Sequence, residues 1–594
     1  MLLLYKKPFY YLTAFLLLLL SGCASMERDV QGRVWETKEN SRSFPELDTK
    51  LMPSTLQNIY TKNGNKISET NGLVFSGGGT RSATLTLGQL RSLRELGVLD
   101  RFHYISAISG GSWAAVPYVY AKRASGDKSD TKGFTKSSRF LGKYIPPNKL
   151  SKDYLKGSRD MGKLGEAITK SSVLTETLSG WFSLKGDETY SYVIGSVFLK
   201  PFELNDTKFF TLDERVRDSI VKDNPKLAND FYIPEKGKPF LIVGSTVQLK
   251  HYAPSSRKPN EIFPLEITPL YVGVPTTKSA LGKNSSRIGG GYIEPFMYNS
   301  KPPKAKNIIL GETRQTKVSI KNDINKFSLS DVIGTSGAAP QAALTGGLKY
   351  LFFLPSNLGF PELHHWPITD QDNYRPMKED YVHGDGGNID NIGLMPLLAR
   401  KVDNILVFIN TQEDFNTGYA NGDIPSYAMY SDLQNYFQYN EKRPKNIVFN
   451  EPQLKVLYKA FEKNKIAGEP LVYCDKYPVK ENKFFGVLDT DGYTPKICWF
   501  YNDKPKQWTA LVNQAEHLGD EKSKIIQGVA PYESIPHSKT FLHQWHDGQL
   551  IDRNNRHVNI ESNISSWAVC NSANYVFDKQ LGIPLDRISG TNCI

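Results

Sequence analysis

The sequence lacks the patterns that mark a transmembrane helix, a nucleotide-binding loop or a zinc site. Its longest apolar run, residues 9–20, is interrupted only by Thr13. About twelve residues at roughly 1.5 Å each cannot cross a hydrocarbon core of about 30 Å. The full Gly-x-x-x-x-Gly-Lys-Ser/Thr pattern, the His-Glu-x-x-His pattern and zinc-finger spacings are absent. We therefore expect no permanent transmembrane helix, no cofactor, no metal and no nucleic-acid partner.

Cysteine is also scarce, with 5 in 594 residues, and the first one follows the apolar run. Lys6 and Lys7 precede that run, which is the order of charged and apolar segments in a secretory signal. The end of the run, Leu20-Ser21-Gly22-Cys23, resembles the bacterial lipobox. This implies a signal peptide over residues 1–22 and a diacylglycerol anchor on Cys23. We therefore expect a lipid-anchored protein of the bacterial cell envelope. Ala24 follows the cysteine in place of an aspartate, which by resemblance to known sorting patterns favours the outer membrane.

The other four cysteines form an even set: Cys474, Cys498, Cys570 and Cys593. Exported proteins fold in an oxidising compartment, where disulfides form and persist. We favour pairing of neighbours, Cys474 with Cys498 and Cys570 with Cys593. Four cysteines allow three connectivities, and buried free thiols are the alternative.

The charge balance is basic, since 73 Lys and Arg residues face 61 Asp and Glu residues. The excess is spread along the chain, which favours anionic lipid as a partner. The chain is 39% apolar, so a large core is possible, and its length exceeds one typical domain.

From residue 71 onward, short apolar runs alternate with helical patterns, which predicts an α/β fold with a largely parallel central sheet. The strand-like runs are residues 73–75, 104–108, 240–243 and 405–409. We interpret residues 23–70 as a polar tether, 71–420 as the main domain and 421–594 as its C-terminal elaboration. Lys-rich residues from about 121 to 235, with interleaved aromatics, are either a cap over the site or an insertion that packs inward.

The most informative stretch is residues 104–113, in which a buried strand breaks at Ser109 before a helical pattern. This is the pattern of a nucleophile elbow, where the serine adopts a strained backbone conformation and exposes its hydroxyl. The residues two before and two after the serine must be small, and Ala107 and Gly111 stand there.

A second candidate segment lies upstream, where a strand runs into Gly77-Gly78-Gly79-Thr80-Arg81 and then a helix. Backbone N–H groups of consecutive glycines at a helix N-terminus, helped by the cationic Arg81, can hold an oxyanion. The third glycine of the dinucleotide-binding pattern is missing, which argues against a nucleotide site.

The third segment is Asp385 within His383-Gly384-Asp385-Gly386-Gly387, after a short strand-like run. An acid among glycines can approach another backbone closely. If Asp385 meets Ser109, its carboxylate can accept the hydroxyl proton and later return it to the leaving group.

Taken together, these segments resemble the patatin-like lipolytic hydrolases over roughly residues 70–415, and more closely the cytosolic phospholipase A2 and lysophospholipase branch. Residues 75–81 match the S-G-G-G-x-R segment of that branch, and residues 109–113 are similar to its S-G-S-T-W elbow. Residues 263–269 resemble the F-E-F-T-P stretch, residues 337–340 the S-A-A-P block, and residues 385–387 the D-G-G of patatins.

The resemblance implies a catalytic domain over residues 71–420 that cleaves fatty-acyl esters of phospholipids or lysophospholipids. By the same resemblance, Ser109 is the nucleophile, Asp385 the base, Gly78 and Gly79 the oxyanion amides, and Arg81 the group that stabilises the oxyanion or phosphate. Ala107 departs from the usual glycine of the elbow. A calcium-binding C2 module is missing, so the acyl anchor would replace calcium-driven docking.

Several rival sites have weaker contexts. Ser336 lies in a second glycine-rich turn, and residues 288–291 form a second glycine run, but neither has the strand and helix of the first pair. A calcium loop at residues 489–492 lacks the required first and last ligands. Residues 543–547 place two histidines three apart, without a known zinc pattern.

Other functions stay open beside the Ser/Asp hydrolase. An α/β-hydrolase with a Ser/His/Asp triad would need a histidine, and His383 and four later histidines are available: His537, His543, His546 and His557. A non-catalytic surface lipoprotein that binds lipid or protein is a second alternative. Transacylation, in which an alcohol resolves the acyl-enzyme, is a third.

Overall fold

The computed structural model describes a folded unit whose central element is one large sheet. The described residues are 29–36, 44–61, 65–130, 132–170, 189–205, 207–248, 262–275, 289–301, 315–320, 326–338, 361–365, 381–438, 440, 443, 445–538, 544–546, 549–551 and 555–593. In these ranges, no helix combines the length and the hydropathy needed to cross a membrane. Cys23 and the predicted signal peptide lie outside them.

Thirteen of the described strands form this sheet, in the order β10-β1-β9-β8-β7-β6-β3-β2-β13-β15-β14, and in addition β12 pairs with β6 and β11 pairs with β12. The strands in chain order are β1 Val30–Glu36, β2 Asn71–Phe75, β3 Tyr104–Ile108, β4 Phe209–Phe210, β5 Phe231–Tyr232, β6 Phe240–Gln248, β7 Ile262–Ile267, β8 Val272–Gly273, β9 Gly291–Ile293, β10 Gln315–Ile320, β11 Glu362–Leu363, β12 Tyr381–Asp385, β13 Asn404–Ile409, β14 Leu471–Lys476, β15 Lys496–Tyr501, β16 Gln544–His546 and β17 Gln549–Ile551.

The centre of the sheet is parallel, in the order β6-β3-β2-β13-β15. All residues of β3 and β13 are buried, as expected for strands covered on both faces by helices. The α/β prediction is confirmed, and each of the four predicted strand runs lies within a strand. The flanks are antiparallel, with β14 on one side and β7 to β10 on the other.

The helices in chain order are α1 Gly79–Glu95, α2 Gly110–Tyr120, α3 Ser138–Leu141, α4 Lys152–Lys156, α5 Gly162–Thr169, α6 Thr189–Phe198, α7 Glu214–Asp223, α8 Leu329–Ser336, α9 Met395–Ala399, α10 Ser431–Gln434, α11 Glu451–Ala467, α12 Lys506–Asn513, α13 Glu521–Gln527 and α14 Asn555–Asn571, followed by a π-helix, Asn574–Leu581. Helix α14 packs closely on α1, because Gly88 leaves room for the Ser562 carbonyl. The C-terminal region thus supplies two strands of the main sheet and a helix against the glycine-loop helix.

The predicted polar tether is wrong for residues 29–36 and 44–61. Strand β1 lies between β9 and β10 in the main sheet, with Val34 opposite Ile293 and Val30 opposite Ile320. Downstream of it, Leu56 is fully buried, and so is Glu46. These residues belong to the folded unit because their apolar and charged groups find partners far along the chain.

Glu46 belongs to a buried ion cluster that fixes this N-terminal segment. Arg400 Nε lies 2.7 Å from a Glu46 oxygen, and the other end of the guanidinium holds Glu266, with Nη2 2.7 Å from Oε2. The Phe44 ring lies 4.0 Å from the Arg400 guanidinium carbon. Burial raises the pKa of Glu46, and the charge of Arg400 opposes this. Glu266, from the F-E-F-T-P-like stretch, is therefore part of a buried ion pair with Arg400.

The insertion at about residues 121–235 packs inward where it is described. Phe140, Leu150, Tyr154 and Leu155 are buried in the common hydrophobic core. Trp181 and Phe182, two of the aromatics that suggested a cap, lie outside the described residues.

The four later cysteines form two disulfides, Cys474–Cys498 and Cys570–Cys593. The first links the adjacent strands β14 and β15, and the second ties the end of α14 to the C-terminal segment. These are the neighbouring pairs along the chain.

Candidate active site

The serine elbow connects β3 to α2. Ser109 lies between them with φ 50° and ψ −125°, a backbone conformation that is strained for any residue but glycine. The adjoining glycines are required by close approach: a Cβ on Gly110 would lie 1.9 Å from the Gly79 carbonyl oxygen, and one on Gly111 2.5 Å from that of Phe75. Ser109 is therefore held against the glycine loop.

Ala107 departs from the usual glycine but fits its place. It lies in β3, between Phe75 of β2 and Val243 of β6, and is fully buried. Its methyl group thus contributes to the core below the elbow, and the strained residue is Ser109 alone within residues 104–120.

The glycine loop connects β2 to α1 and begins the helix with two residues of positive φ, Gly78 at 138° and Gly79 at 57°. The Gly77 N–H donates to the Asn391 carbonyl at 2.8 Å. Gly78 and Gly79 lie at the start of α1, where backbone N–H groups have no partner within the helix. A Cβ on Gly78 would lie 2.5 Å from Arg81 Nη2. The Arg81 guanidinium therefore lies beside Gly78, at the start of α1.

Arg81 is buried and held by two backbone carbonyls. Its Nε donates to the Asn410 oxygen at 3.0 Å, and its Nη1 donates to the Ser538 oxygen at 2.5 Å. Asn410 follows β13, and Ser538 comes from the C-terminal region. The sequence carried no signal for Ser538, because a backbone carbonyl is available at every residue and only the fold selects one.

The acid reaches the serine through strand β6. Strand β7 pairs with one edge of β6. Along the other edge, Gly244 pairs with Ile108 of β3 and the next residue, Ser245, pairs with Asp385 of β12. The Ser109 hydroxyl donates to Asp385 Oδ2 at 2.8 Å, and the Gly387 N–H donates to Oδ1 at 2.7 Å. The structure thus brings the predicted nucleophile and base into direct contact.

Burial dominates the electrostatics of Asp385, which is 3% exposed. It raises the pKa of the carboxyl from 3.8 to about 6, although the Gly387 N–H, the Ser109 hydroxyl and the charge of Arg443 lower it. Arg443 donates to the Gly387 carbonyl at 2.7 Å and pairs with Asp432. A carboxylate with a pKa near 6 can exchange a proton with an alcohol more readily than an ordinary surface aspartate.

Ser336, which sequence analysis treated as a rival nucleophile, lies at the elbow in another role. Its hydroxyl accepts a hydrogen bond from the Ser109 N–H at 2.9 Å and donates to the Gly244 carbonyl at 2.7 Å. Ser336 is fully buried at the end of α8. The local sequence around it contains no sign of this contact with a residue far upstream.

No imidazole bonds to the Ser109 hydroxyl among the described residues. His383 Nε2 lies 2.7 Å from the Tyr298 hydroxyl, and His537 lies beside Thr411 and Asp414. His557 is buried in α14. His543 and the side chain of His546 lie outside the described part of the chain.

The described ranges contain no cluster of three or more His, Cys, Asp or Glu side chains that could hold a metal ion. The suggested calcium loop at residues 489–492 is a turn in which Asp489 has φ 51°. The second glycine run leads into strand β9 at Gly291.

The chain also matches a protein-family model and a known protein. The model of the patatin-like phospholipase family matches residues 73–398, more than half of the chain. A segment of 38 residues is 55% identical to mouse (Mus musculus) cytosolic phospholipase A2 zeta, covering 6% of this chain and 4% of that protein.

The fold is also similar to solved structures. Human GIVD cytosolic phospholipase A2 matches with a TM-score of 0.39 and 13% identity, over 86% of this chain and 60% of that one. The same human protein in complex with methyl gamma-linolenyl fluorophosphonate matches with a TM-score of 0.34 and 13% identity, over the same shares of the two chains. The chain thus spans about 60% of the length of these structures.

Proposed function

Because this chain belongs to the patatin-like phospholipase family, we propose that it cleaves fatty-acyl esters of phospholipids or lysophospholipids through Ser109 and Asp385. The observation that carries the proposal is the 2.8 Å hydrogen bond from the Ser109 hydroxyl to Asp385 Oδ2, at a strained elbow. A strained backbone conformation and a buried carboxylate both lower the stability of the fold, and proteins retain such features mainly at reactive sites.

In the first half of the proposed reaction, Ser109 Oγ attacks the ester carbonyl carbon while its proton moves to Asp385 Oδ2. The resulting oxyanion lies at the Gly78 and Gly79 amides, with Arg81 beside them. When the tetrahedral intermediate collapses, the ester C–O bond breaks and Asp385 returns the proton to the departing lipid alkoxide. An acyl group then remains on Ser109.

In the second half, water attacks the acyl-enzyme and gives a proton to Asp385. The bond from the acyl carbon to Ser109 Oγ breaks, the proton returns to the serine, and a free fatty acid leaves. With a pKa of about 6, about nine-tenths of Asp385 is ionised at pH 7 and can act as the base. The carboxylate serves both half-reactions because it contacts the serine directly.

The experiment measures fatty-acid release from phosphatidylcholine vesicles and lysophosphatidylcholine micelles in the presence of a chelator. Ser109→Ala and Asp385→Asn are expected to lose at least about 1,000-fold in kcat, as residues that act as a unit do. Ser106→Ala is the matched control, because Ser106 is equally buried in β3 but bonds to the Gly393 carbonyl. It should keep most of the activity.

Three results would contradict the proposal. If the Ser109→Ala variant stays active, Ser109 is not the nucleophile. If the wild-type protein releases no fatty acid from any substrate, the non-catalytic lipoprotein is the better explanation. Acyl transfer to an added alcohol without free fatty acid would make the protein a transacylase.

We also propose that a lipid on Cys23 anchors the protein in the bacterial envelope, at the outer membrane, where its phospholipid substrate lies. The sequence Leu20-Ser21-Gly22-Cys23 and the net charge of +12 support this. Metabolic labelling with a clickable fatty acid should mark the wild type and not Cys23→Ala, and fractionation should release only the variant from outer membranes. Unlabelled wild type would contradict the anchor.

A further inference from the structure

The Ser336 hydroxyl lies where strand β3 ends and its parallel neighbour β6 continues. The ladder between β3 and β6 stops at the pair Ile108 and Gly244, and Ser109 then turns away with its positive φ. Ser336 Oγ fills the next step of the ladder by accepting from the Ser109 N–H and donating to the Gly244 carbonyl. One side-chain hydroxyl thus replaces the direct strand-to-strand hydrogen bond.

This link also reaches the strand that carries the acid. Ser245 follows Gly244, pairs with Asp385 and donates its hydroxyl to the Gly384 carbonyl at 2.7 Å. The Thr246 hydroxyl donates to the Asp385 carbonyl at 3.3 Å. The backbone of the nucleophile and the backbone of the base are therefore joined to the same short piece of β6.

Helix α8 holds Ser336 rigidly in this place. The Trp113 indole N–H donates to the Ile333 carbonyl at 3.2 Å, and the Tyr190 hydroxyl donates to the Gly337 carbonyl at 2.5 Å. Trp113 belongs to α2, the helix of the elbow, and Tyr190 belongs to α6 of the insertion. The C-terminal end of α8 is thus fixed from two sides.

The same contacts argue against Ser336 as a nucleophile. Its proton is donated to a backbone carbonyl, and a carbonyl cannot act as a general base at neutral pH. The side chain is fully buried. Ser109, by contrast, donates to a carboxylate.

We propose that Ser336 is a positioning residue, whose hydroxyl holds Ser109 in its strained conformation and in register with Asp385. This inference rests on the proposed function of Ser109 and Asp385. Loss of the hydroxyl leaves the Ser109 N–H and the Gly244 carbonyl buried without this partner, and the elbow relaxes. Small displacements of a reacting group lower the rate of the chemical step far more than substrate binding, so kcat should fall while KM stays nearly constant.

The test follows covalent labelling of Ser109 by a long-chain alkyl fluorophosphonate. In this reaction, Ser109 Oγ forms a bond to phosphorus, the phosphorus–fluorine bond breaks, fluoride leaves and the serine proton passes to Asp385. Intact-mass and peptide mass spectrometry give the rate constant, the final labelled fraction and the labelled residue. Melting temperatures and steady-state kcat and KM on lysophosphatidylcholine are measured on the same proteins.

The variants separate hydrogen bonding from packing. Ser336→Ala removes the hydroxyl, and Ser336→Cys fills nearly the same space with a weak donor and acceptor. Thr335→Val is the matched control, because the Thr335 hydroxyl is buried one residue away without a hydrogen-bond partner in the described ranges.

We expect Ser336→Ala and Ser336→Cys to label Ser109 completely but about 10- to 100-fold more slowly than wild type, with a similar loss in kcat and little change in KM. Thr335→Val should match wild type. Labelling of Ser336→Ala at the wild-type rate overturns this inference alone. So does a lower final labelled fraction with an unchanged rate constant, which indicates a purely structural role. Wild type that is not labelled at Ser109 overturns the proposed function and this inference with it.

Discussion

The Asp385→Asn variant should be more stable than the wild type at neutral pH, and equally stable in acid. Burial raises the pKa of this carboxyl from 3.8 to about 6. In the folded state Asp385 therefore binds its proton more tightly than in the unfolded state. Stability from this group is fully present below pH 3.8 and is lost as pH rises through about 6.

The magnitude follows from the size of the shift. About two pKa units at roughly 1.36 kcal/mol each give about 3 kcal/mol that the ionised carboxylate costs the fold above pH 7. The asparagine amide keeps an oxygen for the Gly387 N–H and stays neutral at every pH. With an unfolding entropy of about 2.1 cal/mol/K per residue, 3 kcal/mol raises the melting temperature of a chain of this length by roughly 2 °C.

The assay is thermal unfolding of both proteins from pH 4 to pH 8, with Ser106→Ala as a control for loss of a buried polar group near the elbow. The difference between Asp385→Asn and wild type should be close to zero at pH 4 and should reach its full value by pH 7.5. A difference that does not change with pH, or one in favour of the wild type at pH 8, would refute a raised pKa for Asp385.

Three further predictions concern the surroundings of the dyad. Arg443→Ala removes a charge that lowers the pKa of the Asp385 carboxyl, so the acid limb of kcat/KM should move to higher pH, and an unchanged limb would be contrary evidence. In Arg81→Lys, a single ammonium group replaces the guanidinium and cannot hold both carbonyls while it also faces the oxyanion, so kcat should fall about 10- to 100-fold. Activity close to wild type in the vesicle assay would rule out a role of Arg81 at the oxyanion. Gly110→Ala places a methyl 1.9 Å from the Gly79 oxygen and should cost at least about 100-fold in kcat/KM, whereas Gly422→Ala, in open space, should be neutral; equal effects would contradict the close packing of the two loops.

The two residues proposed to react could be selected from the sequence because their signals are local. Ser109 follows a buried strand and precedes two glycines, and Asp385 lies among glycines after another strand. Each pattern is formed by neighbours in the chain, and their order resembles one family. The distance between the two residues was not predictable from either pattern alone, since it depends on β6, whose successive residues Gly244 and Ser245 pair with β3 and β12.

The N-terminal segment was misjudged for the opposite reason. Residues 30–36 look polar and irregular, but their partners Ile293 and Ile320 lie more than 250 residues away. Glu46 reads as a surface charge until Arg400 meets it in the interior. A local sequence pattern does not show which distant residues will pack against a segment. The burial of this segment could therefore be seen only in the folded structure.

Ser336 shows the same limit within the site. Its glycine-rich turn was correctly rejected as the elbow, because no strong strand precedes it, but its contact with the Ser109 N–H spans 227 residues. Arg81 was identified from its motif, while the carbonyls of Asn410 and Ser538 that hold it were not. Reactive groups can be found from local motifs, whereas the groups that position them are set by tertiary structure.

The most direct test of the central claim is to trap the acyl-enzyme during turnover. Wild type mixed with a lysophospholipid and quenched in acid within milliseconds should carry one acyl group, located on Ser109 by peptide mass spectrometry. Ser109→Ala should carry none, and Asp385→Asn should accumulate it far more slowly. An acyl group on another residue, or hydrolysis at full rate without any acylated protein, would contradict the account.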